Sequence, residues 1–539
     1  MSEPILTIRN LQIEGFADEQ WKPIVNGIDL DLNRGEVLGL IGESGAGKST
    51  IGIAAMGYCR PGCRMVGGTI DFDGIQIHEL KSEQIRQVRG VRISYVAQSA
   101  AASFNPAHRL IDQYAETPVQ HGVLKFQQAA NNARAMYATL ELPDPDNIGK
   151  RYPHQVSGGQ LQRAMVAMAM SCEPDLIIFD EPTTALDVTT QIEVLAAIKD
   201  VVRRFNTAAI YITHDLAVVV QLADRIMVLR YGDLVEESET HEILKNPKER
   251  YTRDLLAVRT FKKNPEDLEK DDVPLIEIND LHASYGLGDK VLEDINLTVE
   301  KGRTVAIVGE SGSGKSTLAR AMTGLLPPLQ GTVKYSGIEL PKSYKERTKD
   351  QLRQMQMIYQ MPDVALNPRQ KLREVIGRPL GFYFGIDGAE RDRRVKELLE
   401  MIELPTNYID RFTPELSGGQ KQRVCIARAL AAQPVVIICD EVTSALDQLV
   451  AEEILKLLDQ LQKELNMTYL FITHDLATVK AIADEIVVML QGRIVESGLK
   501  DEVLTPPHHE YTELLLSSVP EMNPHWLDRL LESRAAAMS

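Results

Sequence analysis

Cysteine is scarce, with five in 539 residues. Cys59, Cys63, Cys172, Cys425 and Cys439 are too scattered to frame a disulfide-stapled fold. Cys59 and Cys63 form a lone C-x3-C with no further Cys or His beside them to complete a tetrahedral metal site, so they read as ordinary thiols. Long apolar runs are missing too: no stretch of about 18 uncharged apolar residues occurs, which excludes a membrane-spanning helix. The opening Met1-Ser2-Glu3-Pro4 lacks a basic n-region and an apolar h-region, so the chain is expected to stay in the cytoplasm and reach a membrane only through a partner. Positive charge is in deficit, with a formal net charge of −17. That argues against a general nucleic-acid binder, which needs a basic face to displace phosphate counterions.

What is present is a soluble globular composition, 44% apolar and 25% charged, at a length that suits several domains. Two stretches organise it, GESGAGKST at 42–50 and GESGSGKST at 309–317. Both have the spacing of a phosphate-cradling loop. Its glycines let backbone N–H groups curl around a phosphate, its lysine reaches the outer phosphates, and its hydroxyl ligates Mg²⁺. Gly42, Gly47, Lys48 and Ser49 hold the fixed positions in the first copy, and Gly309, Gly314, Lys315 and Ser316 in the second.

The rest of the chain is duplicated around these loops. Lys48 and Lys315 are 267 residues apart (315 − 48), Gln98 and Gln360 262 apart, and Asp180 and Asp440 260 apart. His214 and His474 keep the offset of 260, so the length changes sit early in each half. Each half opens with short alternating segments, ILTIRNLQIEGF at 5–16 and LIEINDLHASY at 275–285, that predict antiparallel strands. A buried strand, VLGLIG or VAIVG, then feeds the glycine loop and a helix. Residues 98–157 and 360–417, rich in Ala, Glu, Arg and Leu at helical spacing, predict a helical subdomain. The continuous apolar runs LIIFDE and AAIYITHD, with counterparts VVIICDE and YLFITHD, predict parallel strands covered on both faces. Residues 262–274 are charged and apolar-poor, and are expected to form an exposed linker. The tail from Pro524 offers little signal.

Two further constellations carry chemistry. Asp180-Glu181 and Asp440-Glu441 end buried strands, where α/β sheets place ligands. In such a pair the first carboxylate can hold Mg²⁺ and the second can orient the water that attacks a γ-phosphate. Ser157-Gly158-Gly159-Gln160 and Ser417-Gly418-Gly419-Gln420 each lie 23 residues before the aspartate (180 − 157, 440 − 417). Ser-x-x-Gln is a capping box that starts a helix, and a helix N-terminus with free N–H groups also seats a phosphate.

SGGQ between a glycine loop and an apolar-Asp-Glu strand resembles the signature of the ATP-binding cassette (ABC) family, and the resemblance covers nearly the whole chain twice. It implies an α/β fold of two tandem ABC-type nucleotide-binding domains, each a phosphate-loop core with an antiparallel β subdomain and a helical subdomain. The expected extents are 1–262 and 274–523, with a linker at 263–273 and a tail at 524–539. It implies ATP and Mg²⁺ as bound groups. ATP would contact the loop residues Gly42, Ser44, Gly45, Gly47, Lys48, Ser49 and Thr50, or Gly309, Ser311, Gly312, Gly314, Lys315, Ser316 and Thr317, together with the SGGQ residues. Mg²⁺ would be held by Ser49, Gln98 and Asp180, or by Ser316, Gln360 and Asp440, with Gln98 and Gln360 as Q-loop residues. Glu181 and Glu441 would be catalytic, and His214 and His474 would be switch histidines at the γ-phosphate. Ala185-Leu186-Asp187 and Ala445-Leu446-Asp447 match the D-loops. Family cassettes pair head to tail, so the two halves of this chain would pair with each other.

Finer features resemble the importer ATPases of the oligopeptide, dipeptide and nickel group. Asn105-Pro106 and Asn367-Pro368 follow the Q-loop glutamines at one distance, and each half closes with P-x3-Y-T-x2-L-L, at Pro247, Tyr251, Thr252, Leu255 and Leu256 and at Pro507, Tyr511, Thr512, Leu515 and Leu516. This implies ATP hydrolysis that powers uptake of a peptide-like or related small solute, with two separate membrane permease subunits and an exported solute-binding protein as partners. The chain would lie peripherally on the cytoplasmic face of the cell membrane, touching its permeases near the two Asn-Pro pairs, around Phe104 and Leu366. The alternative is a tandem-cassette translation factor acting on the ribosome, a class that joins its cassettes by a long charged helix. Val156 and Val442 depart from the family's usual Leu and Pro. Tyr285 resembles the family's adenine-stacking aromatic in the second half, while Phe16 and Trp21 compete for that place in the first.

Overall fold

The computed structural model describes residues 3–17, 19–184, 186–257, 263, 273–286, 290–444 and 446–538. They form two compact units, one of Met1–Leu186, Thr190–Ala257 and Pro520–Ser539, the other of Asp187–Thr189 and Val258–Val519. Ala185 and Ala445 of the D-loop motifs, and nearly all of the expected linker, lie outside the described residues.

The first unit is built on a six-stranded sheet in the order Asp233–Glu239, Arg225–Arg230, Val37–Ile41, Ala208–Ile212, Leu176–Asp180, Ile93–Val96. Neighbours run parallel except the Arg225–Arg230 and Asp233–Glu239 hairpin. Every residue of the three strands Val37–Ile41, Ala208–Ile212 and Leu176–Asp180 is buried. That is the burial their unbroken apolar runs predict for strands covered on both faces. Register decides where the chemistry falls: Leu40 and Asp180 both pair with Ile212. The carboxyl ends of the three strands are therefore level, and Gly42, Glu181 and His214 leave the sheet side by side.

A second sheet, antiparallel, runs Gln20–Leu32, Leu6–Ala17, Cys63–Phe72, Ile75–Gln76. Alternation along Leu6–Ala17 points Leu6, Ile8, Leu11 and Ile13 inward, and they join Leu38, Leu40, Ile178 and Ile210 in one core. The inward step from Ile8 to Leu11 is three residues because the pairing shifts register there. Residues 98–157 form the expected helical part, with helices Leu110–Gln120 and Phe126–Thr139 preceding Gly158–Ala169. Tyr114 and Tyr137 pack edge to face between them, ring centroids 5.9 Å apart.

The second unit repeats this plan. Its large sheet runs Met355–Ile358, Val436–Asp440, Thr468–Ile472, Thr304–Val308, Glu485–Leu490, Arg493–Leu499, and its antiparallel sheet Leu292–Val299, Ile276–Ala283, Gln330–Tyr335, Ile338–Glu339. Ile307 and Asp440 both pair with Ile472, so the carboxyl ends are level again. Helices Leu372–Phe384, Gly388–Met401 and Gly418–Leu430 share a core centred on Leu372, Ile376, Leu399 and Ile426.

Two expectations need correction, and the tail acquires a place. Lys263, placed by composition in an exposed linker, is 6% exposed. Its Nζ donates to Asp484 Oδ2 at 2.6 Å and Gln462 Oε1 at 2.8 Å, and its N–H to Ala481 O at 2.7 Å. The tail, which offered little signal in the sequence, groups with the first unit, where helix Trp526–Met538 buries Trp526 and Leu527. Gln221 holds it through Nε2 donating to Glu521 O at 2.7 Å and Oε1 accepting from Leu527 N at 3.2 Å, and Lys199 pairs with Asp528 at 2.8 Å. Finally, Phe104 and Leu366 are core residues, 4% and 3% exposed, and cannot themselves form a docking surface. Among the described residues no helix is long and apolar enough to cross a membrane.

Candidate nucleotide site

Each glycine loop leaves its strand through a backbone that only glycine tolerates. Gly42 has φ of 148°, and a Cβ there would lie 2.0 Å from Leu229 O; Gly309 has φ of 150°, with Met489 O at 2.2 Å. The loop ends at Gly47 or Gly314, the cap residues of helices Lys48–Ala55 and Lys315–Met322. A helix N-terminus at the end of such a loop offers backbone N–H groups to a phosphate. Lys48 Nζ donates to Gly42 O at 2.7 Å and Glu43 O at 2.9 Å, and Lys315 Nζ to Gly309 O at 2.8 Å and Glu310 O at 2.7 Å. Both ammonium groups thus span the loop, and burial pulls the Lys315 ammonium below its ordinary pKa.

Ser49 Oγ donates to Asp180 Oδ1 at 2.7 Å, and Ser316 Oγ to Asp440 Oδ1 at 2.9 Å. A hydroxyl and a carboxylate beside a phosphate cradle are hard oxygen donors, the set that suits Mg²⁺ with phosphate and water completing the shell. The next residues turn sharply. Glu181 and Glu441 both have φ of 50°, an uncommon value for glutamate. Each is held by its N–H to the neighbouring strand, Ile212 O or Ile472 O, at 2.9 Å. The turn carries the carboxylate out of the strand direction and into the level of the histidine.

There the two halves agree closely. His214 Nδ1 is 3.3 Å from Glu181 Oε1, and His474 Nδ1 is 3.3 Å from Glu441 Oε1. Gln98 Nε2 donates to Glu181 Oε2 at 3.0 Å, and Gln360 Nε2 to Glu441 Oε2 at 2.6 Å. The glutamines therefore stand on the glutamates rather than on the Ser–Asp pairs. Burial pushes the Glu181 and Glu441 carboxyls up, but the histidine hydrogen bond and charge outweigh it and hold both below the usual range. Burial pulls the two imidazoles down, and the glutamates outweigh that and raise them. Asp440, with burial dominant, is raised.

The SGGQ segments form the predicted capping boxes. Gln160 N donates to Ser157 Oγ at 3.3 Å and Ser157 N to Gln160 Oε1 at 3.2 Å, with counterparts at 3.4 and 3.0 Å for Ser417 and Gln420. The second glycine is there for packing: a Cβ on Gly159 would lie 2.0 Å from Thr190 Cγ2, and one on Gly419 2.4 Å from Val450 Cγ1. Tyr285 is half exposed, its hydroxyl 3.3 Å from Thr317 Oγ1 and accepting from Arg320 Nη1 at 3.0 Å. Phe16 and Trp21 are paired across one hairpin, ring centroids 5.3 Å apart, with the Arg64 guanidinium 3.9 Å over the Trp21 ring. One face of Trp21 is thus taken by a cation.

Sequence reasoning missed one recurrent contributor. Glu310 N donates to Tyr511 Oη at 2.8 Å, and Glu43 N to Tyr251 Oη at 3.3 Å. The tyrosine of each closing P-x3-Y-T motif is tied to a glycine loop. Its recurrence at an offset of 260 (511 − 251) was the available signal.

Taken together, a doubly built phosphate cradle, a Ser–Asp pair and a Glu–His–Gln cluster on an α/β sheet define a nucleotide-hydrolysing protein. Comparison with known proteins agrees. The family described as ABC transporter matches residues 25–184 and 292–444, and the one described as oligopeptide/dipeptide transporter, C-terminal region, matches 495–538. The "Glutathione import ATP-binding protein GsiA" of Escherichia coli O157:H7 is 36% identical over 566 residues, covering 96% of this chain and 90% of that protein. The protein of the same name from Shigella flexneri is also 36% identical over the same shares. Among solved structures, cbiO1 from Clostridium perfringens, part of the ABC transporter complex cbiONQ, is 31% identical at a TM-score of 0.40, covering 43% of this chain and 91% of that one. The chain belongs to the ABC transporter family, in its oligopeptide-importer group, and is an ATP-binding ATPase of solute import.

Proposed function

We propose that the chain hydrolyses ATP with Mg²⁺ in both halves to power uptake of a small peptide-like solute through two separate membrane permeases fed by an exported solute-binding protein. Glutathione, named for the 36%-identical relatives, is one such solute. The observation that carries the reading is the duplication of the cluster: lysine on the loop carbonyls, serine on aspartate, and glutamate between histidine and glutamine occur in both units at matching distances.

Mg²⁺, when bound, supplies positive charge to the phosphoryl oxygens. Ser49 with Asp180, and Ser316 with Asp440, would hold it. Glu181 and Glu441 stay ionised at neutral pH and accept a hydrogen bond from the attacking water, orienting it. His214 and His474 would donate to a γ-phosphate oxygen. Gln98 and Gln360 connect each glutamate to the helical subdomain. Tyr285 stacks adenine in the second half, and Phe16, whose neighbour Trp21 carries Arg64 on its face, does so in the first. We read the two cassettes as acting as a pair within the one chain, as the motif resemblance implies.

The permease contact falls in the helical part of the first unit, in a cleft of 440 Å³ lined by Asn105, His108, Asp112, Glu116 and Phe126 among others. Its floor is tied together by Gln113, which accepts from Asn105 N at 2.8 Å and donates to Asn105 O and His108 O. Asp112 and Glu116 suit a basic permease segment. The test is co-expression with candidate permeases and their binding protein: ATP-dependent uptake of peptide into vesicles is expected, and Asp112→Lys with Glu116→Lys should release the ATPase from the membrane. Uptake independent of this chain, or its pelleting with ribosomes instead of permeases, would overturn the reading.

A further inference from the structure

The two Ser–Asp pairs differ in one neighbour. Strand Ile93–Val96 pairs with Leu176–Asp180 so that Tyr95 stands opposite Ile178, and strand Met355–Ile358 pairs with Val436–Asp440 so that Met357 stands opposite Ile438. Tyr95 and Met357 are therefore the same place in the two halves. Tyr95 Oη donates to Asp180 Oδ2 at 2.5 Å while Ser49 holds Oδ1. Both oxygens of Asp180 are thus fixed from opposite sides, and Arg60 Nη2 stands 3.9 Å from Oδ2. A thioether offers no such donor, and among the described residues Ser316 is the one hydroxyl that donates to Asp440.

We infer that Tyr95 is a positioning residue that makes the two nucleotide sites unequal, pre-organising Asp180 so that the first half takes its divalent cation more tightly than the second. The inference rests on the proposed reading of Asp180 and Asp440 as cation-holding residues. A carboxylate already locked in one rotamer loses less freedom when it accepts the hydrogen bonds of metal-bound water, and second-layer partners of this kind tune metal affinity. One hydroxyl hydrogen bond sets the scale, roughly threefold to tenfold in affinity. The gain is confined to the first half, because Met357 cannot reproduce it.

The experiment is a Mn²⁺ titration followed by electron paramagnetic resonance in the full chain carrying Glu181→Gln and Glu441→Gln, with ATP present and turnover suppressed. Two affinities about threefold to tenfold apart are expected, and Tyr95→Phe should merge the tighter into the weaker while leaving metal-free nucleotide binding unchanged. Met357→Tyr, where it folds, should tighten the second site; Tyr95→Met, which copies the second half, serves as the independent variant. A single Mn²⁺ affinity in the parent, or two affinities that Tyr95→Phe and Tyr95→Met leave untouched, would overturn the inference. An equal loss of metal-free nucleotide binding would do so as well, since it would mark a merely structural role. Asp180→Asn separates the two levels: if it leaves Mn²⁺ binding intact, the cation-holding reading itself fails, and if it removes the tight site while Tyr95→Phe does not, only the inference fails.

Discussion

Tyr511 Oη accepts the backbone N–H of Glu310 at 2.8 Å, across 201 residues of sequence. The N–H belongs to the glycine loop, whose shape is also held by Lys315 Nζ on Gly309 O and Glu310 O. Tyr511→Phe keeps the ring and removes the acceptor, leaving a partly buried donor unmet at a cost of about 1 kcal/mol. Urea denaturation should show that loss in the second unit, and ATP affinity there should fall with it. Tyr251→Phe, whose bond to Glu43 N is 3.3 Å, should cost less.

Glu181→Gln and Glu441→Gln should each preserve ATP binding and slow turnover more than about tenfold, because a neutral amide oxygen is a weaker acceptor and a far weaker base for the attacking water than a carboxylate. The measurement is single-turnover hydrolysis with each mutant against the parent. Near-normal rates in either would mean that another group orients the water.

The Glu441–His474 contact also sets a pH dependence. His474 is raised above its ordinary value, so its contribution is full below the unfolded imidazole value near 6.5 and fades as pH rises through the folded value. Glu441 is lowered, so its contribution is present above the unfolded carboxyl value near 4.5 and is lost as pH falls through the folded one. The pair is therefore strongest at about pH 5 to 6.5. His474→Gln should destabilise the second unit by about 1 kcal/mol more at pH 6 than at pH 8.5, the scale of a charge-assisted hydrogen bond partly open to water. Thermal unfolding at the two pH values decides it, and an equal loss at both would show that the imidazole is neutral when folded.

What was legible in the sequence follows a physical rule. Gly42, Lys48, Ser49, Asp180 and Glu181 were readable because phosphate chemistry fixes residue type at short, constant spacing, and the duplication supplied each signal twice. The central strands were readable because burial on both faces demands unbroken apolar runs. Lys263 was not: its charged neighbours made it look solvated, and its partners, Gln462 and Asp484, lie 199 and 221 residues away. The role of Tyr511 was hidden the same way, as was that of the tail helix, whose partners sit in the first half of the chain.

Lys263 gives that point a test. Its side chain is 4% exposed and that of Asp484 16%, so removing the ammonium leaves a largely buried carboxylate with one fewer partner. Among the described residues Asp484 Oδ2 then keeps the N–H of Thr304 at 2.8 Å. Lys263→Ala should destabilise the second unit by about 3 kcal/mol. Lys263→Ala with Asp484→Asn should recover part of that, as a double-mutant cycle would show.

The tail is expected to stabilise the first unit, not the one that precedes it in the chain. Leu527 is fully buried and Trp526 nearly so, and Gln221, itself 2% exposed, spends both ends of its amide on Glu521 and Leu527. Truncation after Val519 therefore uncovers apolar surface in the first unit and strips the buried Gln221 amide of its bonds to Glu521 and Leu527, leaving Nε2 its bond to Ala217 O at 3.0 Å. Leu527→Ala alone should cost about 2 to 5 kcal/mol, the range for a large-to-small change in a packed core. Lys199→Met should cost less, since Asp528 is open to water and its ion pair contributes little. Hydrogen exchange locates the effect: faster exchange should be confined to the strands and helices around Gln221, with the sheet built on Thr304–Val308 protected as before. Faster exchange in that second sheet, with the first unchanged, would show that the tail stabilises the second unit instead.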